Sequence, residues 1–482
     1  MSDQLLYVAG REVDSGRCEP ITNPYTGETV RRACLGRPED MDAAVEAAAG
    51  AFEETRRLAT HRRASILEGI AQRIRDRGEE IATLMMRESG KPIRFCRGEV
   101  QRAVVTFTLA AGSVRQWGGE VMPLDLEERA EGRLLLYRRV PRGPVAAISP
   151  FNFPLNLIAH KLAPAIAVGA PMVLKPPSQC PLTGYLLGRI AREAGWPAEA
   201  LSIVHCESEV GQRMVEDDRM KVLSFTGSDV VGWKLKSLAG KKQVLLELGG
   251  NAPCVVDETA DLDGVMDAIV TGAWANAGQV CIKVQRIFVH RARFDAFLDA
   301  FVDATRNVKW GNPADEDTVI GPLIEPRHVK RVLEWTQEAV DGGATLHCGG
   351  SAEGQVVLPT VLTDVDADAK VCREEVFGPV TVVEPFDTFA EAVERCNDGR
   401  FGLQAGIFTT DIGRALYAFE HLEYGGVMIN DVPTFRVDNF PYGGVKDSGF
   451  GREGVRFAME EMCEPRVLTM RGMPGVNEAL SR

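Results

Sequence analysis

Three residues whose types suit chemistry on a carbonyl group lie in short segments rich in glycine or proline. Cys281 lies in GQVC, Glu247 in LELGG and Asn152 in PFNFP. A cysteine thiolate can act as a nucleophile, a partly desolvated carboxylate as a general base, and a side-chain amide as an oxyanion donor. Each residue also has an ordinary alternative: a buried inert thiol, an ion-paired carboxylate and a helix cap. Together they are the parts that covalent catalysis at a carbonyl requires.

Two further segments have residue types that suit a nucleotide. Phe225-Thr226-Gly227-Ser228 leads from a predicted strand into a helix, whose free N–H groups and dipole favour a phosphate. The alternative is a plain N-cap at Ser228. Glu374-Glu375-Val376-Phe377 places acids before an aromatic residue, so it can bond ribose hydroxyls or form an ordinary acidic turn. The segment around Gly227 is neither a GxGxxG fingerprint nor a P-loop, because Gly227 and Gly232 are spaced GxxxxG without a following lysine.

Strands and helices alternate from residue 144 onward, and these elements must position the residues above. The predicted strands are Val145–Ser149, Met172–Lys175, Leu201–His205, Val222–Thr226 and Val244–Glu247. The predicted helices between them are Leu155–Val168, Pro181–Ala194, Glu209–Glu216 and Asp229–Leu238. Crossovers of this length predict a parallel, doubly wound sheet that binds ligands at the carboxyl ends of its strands.

A second series of alternating strands and helices follows Gly249-Gly250. A group of predicted helices precedes the first series. The second series has predicted strands at Ala252–Asp257, Arg286–His290 and Val380–Pro385, and predicted helices at Leu262–Ala277, Arg293–Val308 and Val329–Gly342. Helical periodicity covers Asp40–Leu58, His61–Arg87 and Ile93–Trp117, whereas 118–133 is irregular. Leu134–Val140 and Glu464–Met470 have strand character. The fold class is therefore α/β.

Composition excludes several classes of protein. The 482 residues exceed what one hydrophobic core holds, so we expect two or more domains. The net charge of -13 argues against nucleic-acid and anionic-membrane partners. We expect neither a signal peptide nor a membrane span. The eleven cysteines are scattered without a CxxC pair, so the sequence suggests neither a disulfide framework nor a zinc site. We expect no metal, and a reducing cytoplasm as the compartment.

In this order, the segments resemble the aldehyde dehydrogenase superfamily. The matching text is PFNFP, LKPPSQ, FTGS, LELGG, GQVC, EEVFGP, FGLQAGIFT and PYGGVKDSGFGREG. It runs from about Val8 to the C-terminal strand, which is nearly the whole chain. The text is most similar to members that act on lactaldehyde, glyceraldehyde 3-phosphate and related short polar aldehydes.

The resemblance implies a role for each chemical residue. Cys281 would attack the aldehyde to give a thiohemiacetal, and Asn152 with the Cys281 N–H would hold its oxyanion. Hydride transfer to NAD or NADP would leave a thioester, and Glu247 would activate the water that hydrolyses it. The implied cofactor-binding residues are Ser149, Pro150, Phe151, Lys175, Ser178, Gly211, Thr226, Gly227, Ser228, Val231, Leu248, Gly249, Glu375 and Phe377.

The resemblance also implies three structural parts. These are a Rossmann-type cofactor domain (1–117 and 140–249), an α/β catalytic domain (250–463) and a β oligomerisation arm (118–139 and 464–482). We therefore expect a homodimer or homotetramer.

Ser178 departs from the pattern of NAD-preferring members. These often carry Glu at this position, three residues after the lysine equivalent to Lys175. That carboxylate bonds the ribose 2′-hydroxyl and would repel a 2′-phosphate by about 4 kcal/mol near a protein surface. Ser178 removes the repulsion and can bond a phosphate, so we predict that NADP is accepted.

Arg436 is the second departure, in a segment where members that handle apolar aldehydes tend to carry aromatic residues. A guanidinium there could bind a carboxylate, sulfonate or phosphate bidentately. The alternative is a salt bridge with Asp438 or another acid. Arg102 is a further substrate-binding candidate, although arginines on helices are usually solvated.

Three other functions stay open from the sequence. A CoA-acylating member of the superfamily would resemble this chain but typically lacks the glutamate of LELGG. A cysteine hydrolase would pair Cys281 with a histidine such as His160 or His290, and it leaves the nucleotide segments unexplained. A non-catalytic binding protein would be expected to have lost Cys281, Asn152 or Glu247.

Overall fold

The first of two large sheets is built around parallel strands that are buried on both faces. The structure is a computed structural model, and it describes residues 3–471. In spatial order this sheet contains β2 (Arg11–Val13), β1 (Leu6–Val8), β9 (Leu201–Ile203), β8 (Met172–Lys175), β7 (Val145–Ile148), β10 (Val222–Thr226), β11 (Gln243–Glu247) and β23 (Gly449–Phe450). β9, β8, β7, β10 and β11 run parallel. The chain leaves the central β7 in one direction and later returns to its other side, so the switch point lies between β7 and β10.

Helices cover both faces of this sheet, as the predicted crossovers require. One face packs on α2 (Thr60–Asp76), α3 (Gly78–Ser89), α4 (Ile93–Arg115), α5 (Asn156–Val168), α6 (Leu182–Glu193) and α15 (Val455–Glu461). The other packs on α1 (Pro38–Thr55), α7 (Ser208–Glu216) and α8 (Asp229–Leu238). The small and β-branched side chains of the central strands let helices pack closely on each side.

The second sheet is parallel except for one edge strand. Its order is β14 (Thr345–Cys348), β17 (Thr360–Thr363), β18 (Val380–Phe386), β13 (Val284–His290), β12 (Ala252–Val256), β20 (Gln404–Phe408) and β21 (Gly426–Ile429). Its helices are α9 (Leu262–Trp274), α10 (Phe294–Arg306), α11 (Pro326–Asp341), α12 (Lys370–Arg373), α13 (Phe389–Asn397) and α14 (Ile412–His421). The fold is thus α/β, as predicted.

Smaller sheets complete the described chain. Paired strands are β3 (Cys18–Thr22) with β4 (Thr29–Cys34), β15 (Ala352–Glu353) with β16 (Val356–Val357), and β19 (Phe401–Gly402) with β22 (Val445–Lys446). A three-stranded sheet joins β5 (Gly119–Met122), β6 (Arg133–Pro141) and β24 (Cys463–Arg471). Most residues of these three strands lie within the ranges predicted as an arm, 118–139 and 464–482, and of the second range residues 472–482 lie outside the described residues.

Three predictions about local structure are wrong. The helix predicted over His61–Arg87 is two helices, because Arg77 leaves the helical conformation at φ -107°, while the apolar period continues on both sides. Residues predicted as irregular contain β5, which pairs with β6. The helix predicted to reach Ala277 ends at Trp274, since Asn276 and Ala277 adopt left-handed φ values of 54° and 55°.

A disulfide joins Cys18 to Cys34, which the scattered cysteines did not indicate. The two residues are 16 apart in sequence but directly opposite in the β3–β4 pair. Only the strand register reveals this proximity. Asp14 lies beside them, and these three form the one group of potential metal ligands in the described part of the chain; its two thiols are bonded to each other. Among residues 3–471, no helix is long and apolar enough to cross a membrane.

Candidate active site

The carboxyl ends of β7, β10 and β11 face the segment before β13 across a cavity of about 610 Å³. Parallel strands present their carboxyl ends at one edge, so the loops after these strands converge there. The predicted residues that line the cavity are Arg102, Pro150, Phe151, Asn152, Thr226, Gly227, Ser228, Glu247, Leu248, Gly249, Cys281, Glu375, Phe377 and Arg436. The cavity lining does not include Ser149, Lys175, Ser178, Gly211 and Val231.

Cys281 is held at the cavity by an irregular turn after α9. The left-handed backbone at Asn276 and Ala277 reverses the chain. The Gln279 side chain then fixes the turn: it donates to Asn276 O and accepts from the Ile324 N–H, at 3.3 and 3.0 Å. The thiol is half-buried, and burial raises the pKa of Cys281 to about 11.

Asn152 is not a helix cap, because α5 begins four residues later with Leu155 at its N-cap. Its Nδ2 donates to Gln279 O at 3.1 Å, and its Oδ1 is buried without a hydrogen-bond partner. An amide nitrogen carries two N–H bonds, so one donor of Nδ2 is left for another acceptor. The contact to Gln279 also ties Asn152 to the segment that ends at Cys281.

A buried ion pair supports the loop that carries Asn152. Lys91 Nζ lies 2.6 Å from Glu99 Oε2 and donates to Asn152 O at 3.1 Å. Glu99 Oε1 accepts the N–H groups of Leu155 and Asn156 at 2.8 and 2.9 Å. One carboxylate therefore fixes both the lysine and the start of α5.

Glu247 is buried at the end of β11. An ion-paired carboxylate was the alternative to a general base at this position, and the described residues do not form that ion pair. Glu247 is 5% exposed, and no cation of the described chain lies within ion-pair distance of it. Its Oε2 has no hydrogen-bond partner. Burial, and secondly the charge of Glu453, raise the pKa of Glu247 well above its usual value. A carboxyl in this setting is suited to take up a proton.

A second buried glutamate binds two cations behind Glu247. Glu453 lies 3.2 Å from Lys161 Nζ and 3.2 Å from Arg436 Nη2. Lys161 also donates to the Thr226 hydroxyl at 2.7 Å. Although burial opposes it, these cations lower the pKa of Glu453.

The two candidate substrate arginines have different surroundings. The Arg436 side chain is 7% exposed, its Nε has no partner, and its guanidinium lies 3.6 Å from the ring centre of Tyr442. Arg436 forms its salt bridge with Glu453 rather than with Asp438. Arg102 is 30% exposed and pairs with Asp438 at 2.6 Å. Asp438 also bonds His160 Nε2 at 2.8 Å, so its carboxylate is already shared.

Lys175 and Ser178 form a polar pair outside the cavity lining, at the end of β8. Lys175 Nζ lies 3.2 Å from Ser178 Oγ, and burial lowers the pKa of Lys175. A Cβ on Gly211 would lie 2.7 Å from Lys175 Cδ, so a glycine leaves room for the lysine side chain. Ser149 Oγ is buried without a partner, and Val231 is 44% exposed on α8.

The other end of the cavity has features that fit a ribose and a ring. Glu375 Oε1 accepts the Gly250 N–H at 3.0 Å, and burial raises the pKa of Glu375 to about 7. A Cβ on Gly249 would lie 2.6 Å from Glu375 Oε2. Phe377 holds a left-handed φ of 46° and packs edge-on against Phe151 at 5.9 Å. Ser228 is the N-cap of α8 but makes no side-chain cap bond, which leaves the first N–H groups of that helix available.

Comparisons with known proteins agree with this geometry. Residues 11–468 match the aldehyde dehydrogenase family. A 3-sulfolactaldehyde dehydrogenase of Priestia aryabhattai is 40% identical over 466 residues, which cover 96% of this chain and 97% of that one. Aldehyde dehydrogenase 21 of Physcomitrella patens, solved in complex with the reaction product succinate, is 42% identical with a TM-score of 0.96 and covers 98% of this chain and 100% of its own.

A third similar protein was solved with a cofactor. Glyceraldehyde-3-phosphate dehydrogenase GapN from Methanocaldococcus jannaschii, complexed with NADP, is 39% identical with a TM-score of 0.91, and the match covers 94% of this chain and 99% of that one. The chain therefore belongs to the aldehyde dehydrogenase family. It is an NAD(P)-dependent enzyme that oxidises aldehydes to acids.

Several polar residues at the site were not singled out from the sequence. They are Lys91, Glu99, Lys161, Tyr442 and Glu453. Tyr442 and Glu453 lie within PYGGVKDSGFGREG, so the motif gave their location without indicating their contacts. The other three lie on helices or turns where charged residues are usually solvated.

Proposed function

We propose that this enzyme oxidises short aldehydes that carry an anionic group, with Arg436 as the residue that binds the anion. The observation that carries this proposal is a buried guanidinium in the same cavity as Cys281 and Glu247. A planar guanidinium matches a carboxylate, sulfonate or phosphate through two parallel hydrogen bonds.

The charge around Arg436 favours an anion. Three cations, Arg436, Lys161 and Arg102, have two carboxylates as partners, Glu453 and Asp438. Burial, then the charge of Arg436, lower the pKa of His160, so the histidine is neutral. These three cations and two carboxylates together have one positive charge in excess. A single negative group on the substrate would balance it in this partly dry cavity.

The names of similar proteins support the same substrate class. They refer to 3-sulfolactaldehyde, to glyceraldehyde 3-phosphate and to the product succinate. Each of these molecules joins a small carbon chain to a negatively charged group. Arg102 is the second candidate for binding the anion. It is the weaker candidate because its guanidinium already forms a salt bridge with Asp438.

The proposed chemistry uses one residue for each step. The Cys281 thiolate attacks the aldehyde carbon, and the free N–H of Asn152 with the Cys281 backbone N–H holds the resulting oxyanion. When bound, NAD(P) would supply the hydride acceptor that oxidation of the Cys281 thiohemiacetal to a thioester requires. Glu247 then takes a proton from the water that attacks the thioester, which releases the acid and the thiolate.

We also propose that NADP is accepted. Lys175, Ser178 and Gly211 would hold the adenosine ribose, Thr226, Gly227, Ser228 and Val231 would surround the pyrophosphate, and Glu375 with Phe377 would hold the nicotinamide end, beside Ser149, Pro150, Phe151, Leu248 and Gly249. Lys175 and Ser178 can both donate to a 2′-phosphate. Comparing kcat/KM for the two cofactors tests this, and a hundredfold preference for NAD would refute it.

Release of a free acid rather than acyl-CoA is favoured by Glu247, whose base function needs a water as the proton donor.

We infer a cytoplasmic enzyme because nine cysteines stay unpaired thiols and Cys281 must remain reduced. We propose the divisions at 117–118, 139–140, 249–250 and 463–464 as domain boundaries.

We propose a homodimer or homotetramer formed through the three-stranded sheet. Val121 and Leu468 are 69% and 49% exposed there, and both align with Leu136 on the middle strand. An apolar row of this kind is expected to be covered by another surface.

Replacing Arg436 by Met tests the proposed substrate class. Methionine keeps most of the side-chain volume but removes the charge. We expect KM for 3-sulfolactaldehyde and for succinic semialdehyde to rise about tenfold or more, and KM for propanal to change little. Arg102→Met is the matched control and should have a smaller effect on both. Equal effects of Arg436→Met on charged and neutral aldehydes would refute the role of Arg436.

A further inference from the structure

Tyr442 is the polar side chain that contacts the nucleophile directly. Its hydroxyl oxygen lies 3.2 Å from Cys281 Sγ, although the two residues are 161 positions apart. The ring is 2% exposed. Its backbone N–H donates to Glu453 O at 3.0 Å, and its carbonyl accepts the Glu453 N–H at 2.7 Å. These two bonds hold the tyrosine backbone in one place beside Cys281.

The direction of the hydrogen bond follows from the burial of the phenol. Burial raises the pKa of Tyr442 well above its usual value, so the hydroxyl keeps its proton. A thiolate has no proton to donate. When Cys281 is ionised, the Tyr442 hydroxyl is therefore the donor and the sulfur is the acceptor.

The other groups that face Cys281 do not replace this bond. Glu375 and Glu247 raise the pKa of the thiol, and Arg436 and Tyr442 lower it, against a larger effect of burial. Among residues 3–471, no histidine or lysine is hydrogen-bonded to Sγ, so the imidazolium that activates many cysteines is missing in this part of the chain.

Arg436 strengthens Tyr442 as a donor. Its guanidinium lies over the phenol ring at 3.6 Å from the centroid. A cation on the ring face draws electron density from the phenol, which makes the O–H more polar. One arginine thus connects the proposed anion site to the hydroxyl that contacts the nucleophile.

We propose that Tyr442 is a catalytic residue whose hydroxyl donates a hydrogen bond to the Cys281 thiolate, which raises the fraction of Cys281 that is ionised and directs the sulfur into the cavity. On ionisation the thiol proton goes to solvent, and Tyr442 keeps its own proton. In the attack, the S–C bond forms and the π pair of the carbonyl moves to its oxygen. The sulfur loses its negative charge, so its bond to Tyr442 weakens as the substrate becomes attached. This catalytic role rests on the proposed function.

Alkylation of Cys281 tests the proposal without turnover. The rate of modification by iodoacetamide is followed against pH by mass spectrometry of the peptide that contains residue 281, with Cys281→Ser as the background. Tyr442→Phe keeps the ring and the stacked arginine but removes the hydroxyl. We expect its alkylation at neutral pH to be about three- to tenfold slower and the midpoint of its pH profile to be higher.

Tyr424→Phe is the matched control, because Tyr424 is another tyrosine with a hydrogen-bonded hydroxyl, which donates at 2.7 Å to the Cys396 carbonyl oxygen rather than to Cys281. It should leave the profile unchanged. A Tyr442→Phe profile identical to wild type, or the same shift in both variants, would overturn the proposal.

Kinetics separate this proposal from the proposed function. In Tyr442→Phe, kcat/KM should fall by a similar factor for charged and neutral aldehydes, because the hydroxyl acts on sulfur rather than on the anion. If only the charged aldehydes were affected, Tyr442 would be a substrate-binding residue and the proposal would be wrong. If wild type oxidised none of the anionic aldehydes, the proposed function would fail, while the alkylation profiles would still decide whether Tyr442 acts on the thiol.

Discussion

At the scale of single residues, burial raises the pKa of both groups that the proposed reaction must ionise. The pKa of Cys281 is raised to about 11 and that of Glu247 well above its usual value. Both groups become active by losing a proton, so both gain activity as pH rises.

The pH dependence of activity follows because Cys281 and Glu247 both act after losing a proton. We expect kcat/KM for an anionic aldehyde to rise steadily from about pH 6 to about pH 9, because the thiolate fraction increases through this range. Initial rates in buffers of constant ionic strength would show it. A profile that is flat or falls with pH would contradict the assigned roles.

Removing the carboxylate of Glu247 should separate the two halves of the reaction. In Glu247→Gln, we expect steady-state turnover to fall by about 10²- to 10⁴-fold, the usual contribution of a general base, while one equivalent of reduced cofactor still forms rapidly. Stopped-flow absorbance would resolve this burst. Glu384→Gln, which changes a half-buried glutamate of β18, should keep wild-type turnover. Loss of the burst in Glu247→Gln would mean that Glu247 acts before the thioester forms.

At the scale of elements, strand ends explain which parts of the site could be predicted. Thr226 and Glu247 are the last residues of β10 and β11, and Asn152 follows β7, so local pattern and sheet topology together predict their convergence. Tyr442 and Glu453 lie in an irregular segment whose approach to Cys281 depends on tertiary packing. The Cys18–Cys34 bond depends on register, and the break at Arg77 is hidden by apolar periodicity on both sides of it.

The Lys91–Glu99 pair makes a prediction about the loop that carries Asn152. Removing one partner leaves a buried charge, so Glu99→Leu or Lys91→Met alone should each lower the free energy of unfolding by about 3–5 kcal/mol. The double variant should recover most of this loss. Urea unfolding of wild type, the two single variants and the double variant would measure these free energies.

Activity in the same four proteins distinguishes stability from positioning. The double variant lacks the bonds to Asn152 O and to the start of α5, so we expect its kcat/KM to stay at least about tenfold below wild type despite its recovered stability. Full recovery of both quantities would mean that the ion pair does not position Asn152.

At the scale of the whole molecule, the exposed row on the three-stranded sheet should determine assembly. A charge at this row would have to be buried in an interface without a partner. We therefore expect Val121→Glu or Leu468→Glu to shift the protein towards monomer in light scattering coupled to size exclusion. Tyr25→Glu, at another exposed position, is the control; an unchanged mass for the sheet variants would place the interface elsewhere.

The most direct test of the central claim is the mass of the trapped intermediate. Glu247→Gln enzyme is mixed with NADP and 3-sulfolactaldehyde, quenched in acid and digested. We expect the mass of one acyl group on the peptide that contains Cys281, and no such adduct with propanal at the same low concentration. An acyl group on another cysteine, or none on Cys281 while reduced cofactor accumulates, would contradict it.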